Sequence, residues 1–196
     1  MIKAILLDAD GVTLKAQEYF AESYSKMHNL PPEPIRLFFK EKFKQCQTGE
    51  LDLKQEIQPY LKNWGYQGTV DAYLNEWFTT GTLPDEEVLA LVKTIRDSGM
   101  KCYLATDQEK HRADYMDTVL KFNQLFDGAF YSCNLGHQKS EQEYFIKITK
   151  ELNLNPEEIA YWDDDQTNVQ TAQSTGIKSY FYTDIEKFKK ELAELN

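Results

Sequence analysis

The sequence predicts an α/β protein: a three-layer core built on a parallel sheet, with an all-helical insertion after the first strand. Three observations lead there. An apolar run, Ile2 to Leu7, stops abruptly at Asp8-Ala9-Asp10-Gly11. Residues 15 to about 80 carry helical spacing and no strand pattern. From Leu83 onward, short apolar strands alternate with amphipathic helices, as right-handed βαβ crossovers require. The expected division is therefore a core of residues 1–14 and 81–196, interrupted by a helical unit of residues 15–80.

The first strand must join the same sheet, because the segment that follows supplies no partner strand. In the insertion, Ala16, Tyr19, Phe20, Tyr24 and Met27 form a first helical stripe, closed by Asn29-Leu30-Pro31-Pro32. Ile35, Phe38, Phe39, Phe43 and Cys46 form a second, up to the break at Thr48-Gly49. Asp52 with Gln55 resembles a capping box, and Leu53, Ile57, Tyr60, Leu61 and Trp64 line the helix it opens. Pro59 is expected to kink or split that helix. Thr69 caps a fourth stripe through Val70, Tyr73, Leu74, Trp77 and Phe78. Most of these aromatics read as helix–helix core.

In the second part, Pro84 to Ser98 reads as a helix with Gly99 just past its end. Residues 101–105 read as a strand ending at Thr106-Asp107, and 110–120 as a helix. Ala129 to Tyr131 is a short strand. Ser140 with Glu143 suggests a capping box for the next helix. Asn155-Pro156 reads as a cap with proline at the first helical position. Ile159 to Trp162 is a strand ending in Asp163-Asp164-Asp165, with Asp165 expected to cap the helix of residues 166–175. A last strand at 178–182 precedes a helix capped by Asp184.

With 22 Lys and Arg against 32 Asp and Glu, the net charge is −10, which disfavours a nucleic-acid backbone as partner. A small phosphorylated ligand stays compatible, because a bound cation reverses the local field. No stretch has the length of a membrane span. Cys46, Cys102 and Cys133 are widely spaced and odd in number, which points to a reduced, cytoplasmic setting. His28, His111 and His137 show no metal-ligand spacing.

In open α/β sheets, ligands bind beyond the carboxyl ends of the strands. The residues expected there are Asp8 and Asp10, then Thr106, then Asp163 to Asp165, with Lys139 just before a helix. Asp8 and Asp10 are two apart and share a face if both are extended. Two carboxylates ~4 Å apart repel by roughly 4 kcal/mol at an effective dielectric of 20. Several acids on one rim therefore call for a cation, and an all-oxygen donor set favours Mg2+ over Zn2+. A Thr hydroxyl and a Lys charge added to a metal suit a phosphoryl group.

The ordered set Leu6-Leu7-Asp8-Ala9-Asp10-Gly11-Val12, Tyr103-Leu104-Ala105-Thr106, Lys139 ahead of a helix, and Tyr161-Trp162-Asp163-Asp164-Asp165 resembles the motifs of the haloacid dehalogenase superfamily of hydrolases. The match covers essentially the whole chain and falls in the phosphatase-like branch of subfamily I, whose helical cap (type C1) follows strand one. The resemblance implies a Rossmann-like core and assigns roles. Asp8 would be the nucleophile that forms an aspartyl-phosphate, and Asp10 the acid and base. Asp8, the backbone carbonyl of Asp10, and Asp164 would hold Mg2+, with Asp163 close by. Thr106 and Lys139 would bind the phosphoryl oxygens, and the cap would close over the site and select the substrate. One departure is Asp107, where Asn commonly follows the second motif. A backbone contact to phosphate would survive there, but an amide side-chain contact would not.

The expected activity is thus Mg2+-dependent hydrolysis of a small phosphorylated metabolite. A sugar-phosphate mutase of the phosphoglucomutase type and a 2-haloacid dehalogenase share the core and cap and are the alternatives. A non-enzymatic receiver domain is disfavoured by the long insertion, and a silent binding protein by the intact motif set. Monomer and dimer are both open.

Overall fold

The computed structural model describes residues 1–15, 20–28, 30–80 and 82–195. Five strands form one parallel sheet in the order β3-β2-β1-β4-β5: β1 (Ala4–Leu7), β2 (Lys101–Thr106), β3 (Gly128–Tyr131), β4 (Ile159–Asp163) and β5 (Lys178–Phe181). β1 is central. Leu7 lies opposite Leu104 of β2 and Trp162 of β4, so all three strands end at one level.

Alternation sorts each strand between two apolar layers. Ile5, Leu7, Leu104 and Trp162 face the layer containing helices α6 (Glu86–Asp97), α7 (Lys110–Thr118) and α12 (Ile185–Ala193). Leu6, Ala105 and Tyr161 face the layer of α10 (Gln142–Leu152) and α11 (Gln166–Ser174). β1 is buried on both faces, which is why it reads as a continuous apolar run. Two short helices, α8 (Phe122–Leu125) and α9 (Ser132–Leu135), flank β3 and carry too few residues to show a period.

Among its described residues the insertion consists of helices joined by short turns: α1 (Phe20–His28), α2 (Pro32–Glu41), α3 (Phe43–Gln47), α4 (Leu53–Asn63) and α5 (Val70–Thr80). It has a core of its own, in which Tyr24, Phe38, Ile57, Trp64, Tyr73 and Trp77 are buried together. Tyr24, Trp64 and Trp77 are therefore helix–helix core, as their spacing predicts. Tyr19 lies outside the described residues. The chain leaves and rejoins the sheet domain side by side. Leu14 bridges Pro84, the Lys15 amide donates to Leu83 (2.8 Å) and the Asp85 amide to Thr13 (3.0 Å).

Predicted caps at Asp52, Thr69, Asp165 and Asp184 are present, each accepting backbone N–H bonds from its helix. Three expectations need correction. Pro59, expected to kink or split its helix, does not split α4, which runs on across it. Loss of one backbone donor costs about 3 kcal/mol, but Leu53, Ile57 and Leu61 are buried along one face and packing holds the helix together. Ser140 is not a cap either. The turn Gln138 to Glu141, closed by the Glu141 amide on the Gln138 carbonyl (2.9 Å), delays the helix, whose N-cap is Glu141. The start of α6 also shifts, with Asp85 rather than Pro84 at its cap.

Candidate active site

The centre of the site is the turn after β1. The Asp8 amide still donates to the Trp162 carbonyl (3.0 Å), continuing the pairing with β4. The chain then turns through Gly11, at φ +80°, and folds back so that Thr13 donates through its amide (3.3 Å) and hydroxyl (3.1 Å) to the Asp8 carbonyl. That φ favours glycine. A methyl group at position 11 would also sit 1.9 Å from Asp164 Oδ2, so the turn and the Asp164 carboxylate share one space.

Asp8 is buried, and its Oδ1 lies 2.7 Å from Lys139 Nζ. The same ammonium is 2.8 Å from Asp163 Oδ2. Lys139 and Asp163 are themselves buried. Lys139 reaches this position from the loop between α9 and α10, where its amide donates to Asp107 Oδ1 (3.0 Å). Asp107, the departure from the family pattern, thus orients the lysine loop. Asp163 is further held by the Tyr161 hydroxyl, the Asp165 amide (2.7 Å) and the Asn168 side-chain amide (3.2 Å). Asp164 is exposed.

Burial raises the pKa of Asp8 well above the ordinary aspartate value; Lys139 opposes the rise and Asp163 adds to it. Burial works against the charge of Lys139, but Asp8, Asp163 and Asp107 outweigh it and raise the lysine pKa, so the ammonium stays charged. Partial burial and then Asp163 raise Asp164. Asp8, Asp163 and Asp164 each present an oxygen within 4.8 Å of the others. With all three carboxylates ionised, the one Lys139 ammonium leaves a formal charge of −2. A divalent cation cancels it, and the all-oxygen donors fit Mg2+. Most of the hydrogen-bonding capacity of Asp163 is already taken, which leaves Asp8 and the exposed Asp164 as the freer ligands.

Asp10 stands apart from this trio. Its side chain is 50% exposed, and Arg112 grips it through both oxygens, Nη2 to Oδ1 at 2.6 Å and Nη1 to Oδ2 at 2.7 Å. Gln108 adds a bond from Nε2 to Oδ2 (2.8 Å) and a second to the Thr106 hydroxyl (3.2 Å). Partial burial pushes the Asp10 carboxyl upward, but the Arg112 charge and hydrogen bonds, with the Gln108 bond, hold it below its usual range. Thr106 is buried at the end of β2, one strand over from Asp8.

All six residues singled out in the sequence, Asp8, Asp10, Thr106, Lys139, Asp163 and Asp164, fall at this carboxyl edge. Asp8, Lys139 and Asp163 are in direct contact, Asp164 adjoins them, and Gln108 ties Asp10 to Thr106. Arg112 and Gln108 were not anticipated. Their signal was a run of seven polar residues, Thr106 to Arg112, directly after a buried strand. Such a run does not reveal which side chains turn inward. The helical unit also touches this edge. The Gln47 side chain donates to the Asp107 carbonyl (3.1 Å) and accepts from Gln138 (2.9 Å), and His111 lies 3.1 Å from Asp52.

Residues 2–176 match the family described as haloacid dehalogenase-like hydrolase. The chain is 26% identical over 199 residues to an enolase-phosphatase E1 of Sulfurihydrogenibium, covering 90% of this chain and 85% of that protein. It is 20% identical over 184 residues to a phosphorylated carbohydrates phosphatase of Thermotoga maritima, covering 92% and 84%. Its fold is similar to that of a family enzyme from Bacteroides thetaiotaomicron solved with magnesium and inorganic phosphate. The TM-score is 0.80 at 18% identity, covering 93% of this chain and 95% of that one.

Proposed function

The chain belongs to the haloacid dehalogenase-like hydrolases, and from that premise we propose that it is a Mg2+-dependent phosphatase acting on a small phosphorylated metabolite. The observation that carries the reading is the buried Asp8–Lys139–Asp163 cluster with Asp164 beside it, set next to a half-exposed Asp10. The phosphatase names of the two relatives support it.

Asp8 attacks phosphorus through a carboxylate oxygen as the ester P–O bond breaks, giving an aspartyl-phosphate. Asp10, held ionised at rest by Arg112, takes up a proton as the phosphoester binds and delivers it to the departing oxygen. It then takes a proton from a water that attacks the phosphoryl group, releasing phosphate and restoring Asp8. Lys139 and Thr106 hold the phosphoryl oxygens, and their placement by Asp107 and Gln108 before substrate arrives limits reorganisation. Mg2+ would be held by Asp8, the Asp10 carbonyl and Asp164 with Asp163 nearby, and supplies charge neutralisation where substrate and carboxylates meet. The helical unit of residues 15–80 acts as the cap. Its contacts through Gln47 and Asp52 with residues beyond the end of β2 support that role, in which it excludes water and selects the substrate. The three free cysteines fit a reducing, cytoplasmic setting.

Hydrolysis of p-nitrophenyl phosphate tests the reading. Turnover is expected with Mg2+, and is expected to vanish with EDTA and in Asp8→Asn. Turnover that survives either change overturns it. A panel of phosphorylated metabolites then distinguishes release of free phosphate from formation of an isomerised sugar phosphate.

A further inference from the structure

We propose that Arg112 is a positioning residue that aims the Asp10 carboxylate at the reacting oxygen; this rests on the acid and base role given to Asp10 above. Asp10 lies beyond the end of β1 in the turn, with a side chain 50% exposed. Nothing in the turn itself fixes its two rotatable bonds. Among the described residues, three N–H donors from one short segment hold it: two from Arg112 and one from Gln108.

The arrangement is built for direction. A guanidinium that grips both oxygens sets the plane of the carboxylate as well as its place, which a lysine cannot do. Arg112 is buried in the first turn of α7, so it is not a free surface side chain. The start of that helix is itself pinned. The buried Glu109 accepts from the amides of His111 (2.8 Å) and Arg112 (2.6 Å). Gln108 accepts from Arg112 Nη1 (2.9 Å) while donating to Asp10 and to Thr106. The acid and the phosphoryl-binding hydroxyl are thereby located by one rigid strand-to-helix segment, Thr106 to Arg112. A misplacement of about 1 Å in a reacting group can cost about 100-fold in rate.

The experiment compares two esters in wild type, Arg112→Met, Arg112→Lys and Asp10→Asn, reading kcat/KM, which reports the first chemical step. An alkyl phosphate such as glycerol phosphate needs its departing oxygen protonated; p-nitrophenyl phosphate does so far less. Arg112→Met is expected to lose about 100-fold on the alkyl ester and less than about 10-fold on the aryl ester. Arg112→Lys, which keeps the charge but not the fork, falls between. In the Asp10→Asn background, Arg112→Met is expected to cost nothing further on the alkyl ester. Equal losses on both esters, or an undiminished loss in the Asp10→Asn background, overturn the proposal, because a merely structural role lowers both rates alike. Arg112→Lys supplies the same comparison if Arg112→Met does not fold. A wild-type protein inert on both esters refutes the phosphatase reading instead, so the two failures are separate.

Discussion

Gly11→Ala separates the stability of the core from the integrity of the acidic site. Position 11 has φ +80°, where a Cβ is strained by about 1–2 kcal/mol. The new methyl would meet Asp164 Oδ2 at 1.9 Å and Cγ at 2.4 Å. To regain ordinary contact, that carboxylate must retreat by roughly 1.5 Å. Asp164 is exposed and can swing away, so the relief adds little to the strain and the total loss of stability should be about 1–2 kcal/mol. The displaced carboxylate, however, leaves the group formed with Asp8 and Asp163. Loss of an outer-shell partner alone costs about 10–100-fold in metal affinity, and a displaced ligand should cost at least that. Titration calorimetry with Mg2+, beside urea unfolding with and without the ion, reads both effects. In wild type, Mg2+ at about 100 times its dissociation constant should add about 2.7 kcal/mol of stability, and in Gly11→Ala at the same concentration far less. An alanine variant that binds Mg2+ within twofold of wild type would falsify the claim that turn and site share one space.

Lys139→Met leaves Asp8 and Asp163 buried side by side without their ammonium. Urea unfolding without Mg2+ should show a loss of about 3–5 kcal/mol, and a loss under about 1 kcal/mol would mean the cluster is not held by that pairing. Asp127 sits between the Cys102 amide (3.0 Å), Lys101 (2.9 Å) and Arg96 (3.0 Å) at the start of β2. Burial raises its pKa, but those partners outweigh it and hold it below the usual value. The stability it contributes is therefore present above about pH 4 and lost as pH falls through the lower folded-state value. Asp127→Asn should cost about 2 kcal/mol at pH 7, with the gap to wild type closing below about pH 4. A gap that is constant from pH 7 to pH 3 would refute the charge argument.

Much of the architecture follows from local pattern. Short apolar runs and period-3.6 apolar spacing placed five strands and the main helices, because a sheet buried on both faces and helices buried on one must write that burial into composition. Asp52, Thr69, Asp165 and Asp184 were legible as caps, since each acts on its own helix within three residues. Where cost and compensation lie in different places, local reading failed. Pro59 is penalised in its own helix and rescued by burial of Leu53, Ile57 and Leu61. Ser140 has a capping side chain, but the turn from Gln138 moves the helix past it.

The sequence alone determined that acids, a hydroxyl and a lysine would meet at one sheet edge, since residue types at strand ends are local facts and parallel topology gathers those ends together. Only the tertiary structure decided how they divide. Asp163, buried and largely engaged, belongs with Lys139, while Asp164 stays exposed against Gly11. Asp107 turns its carboxylate to the Lys139 amide. Arg112, 102 positions beyond Asp10, closes on it as a fork. These pairings depend on distances set by the packing of β1, β2, β4 and α7, and no spacing along the chain encodes them.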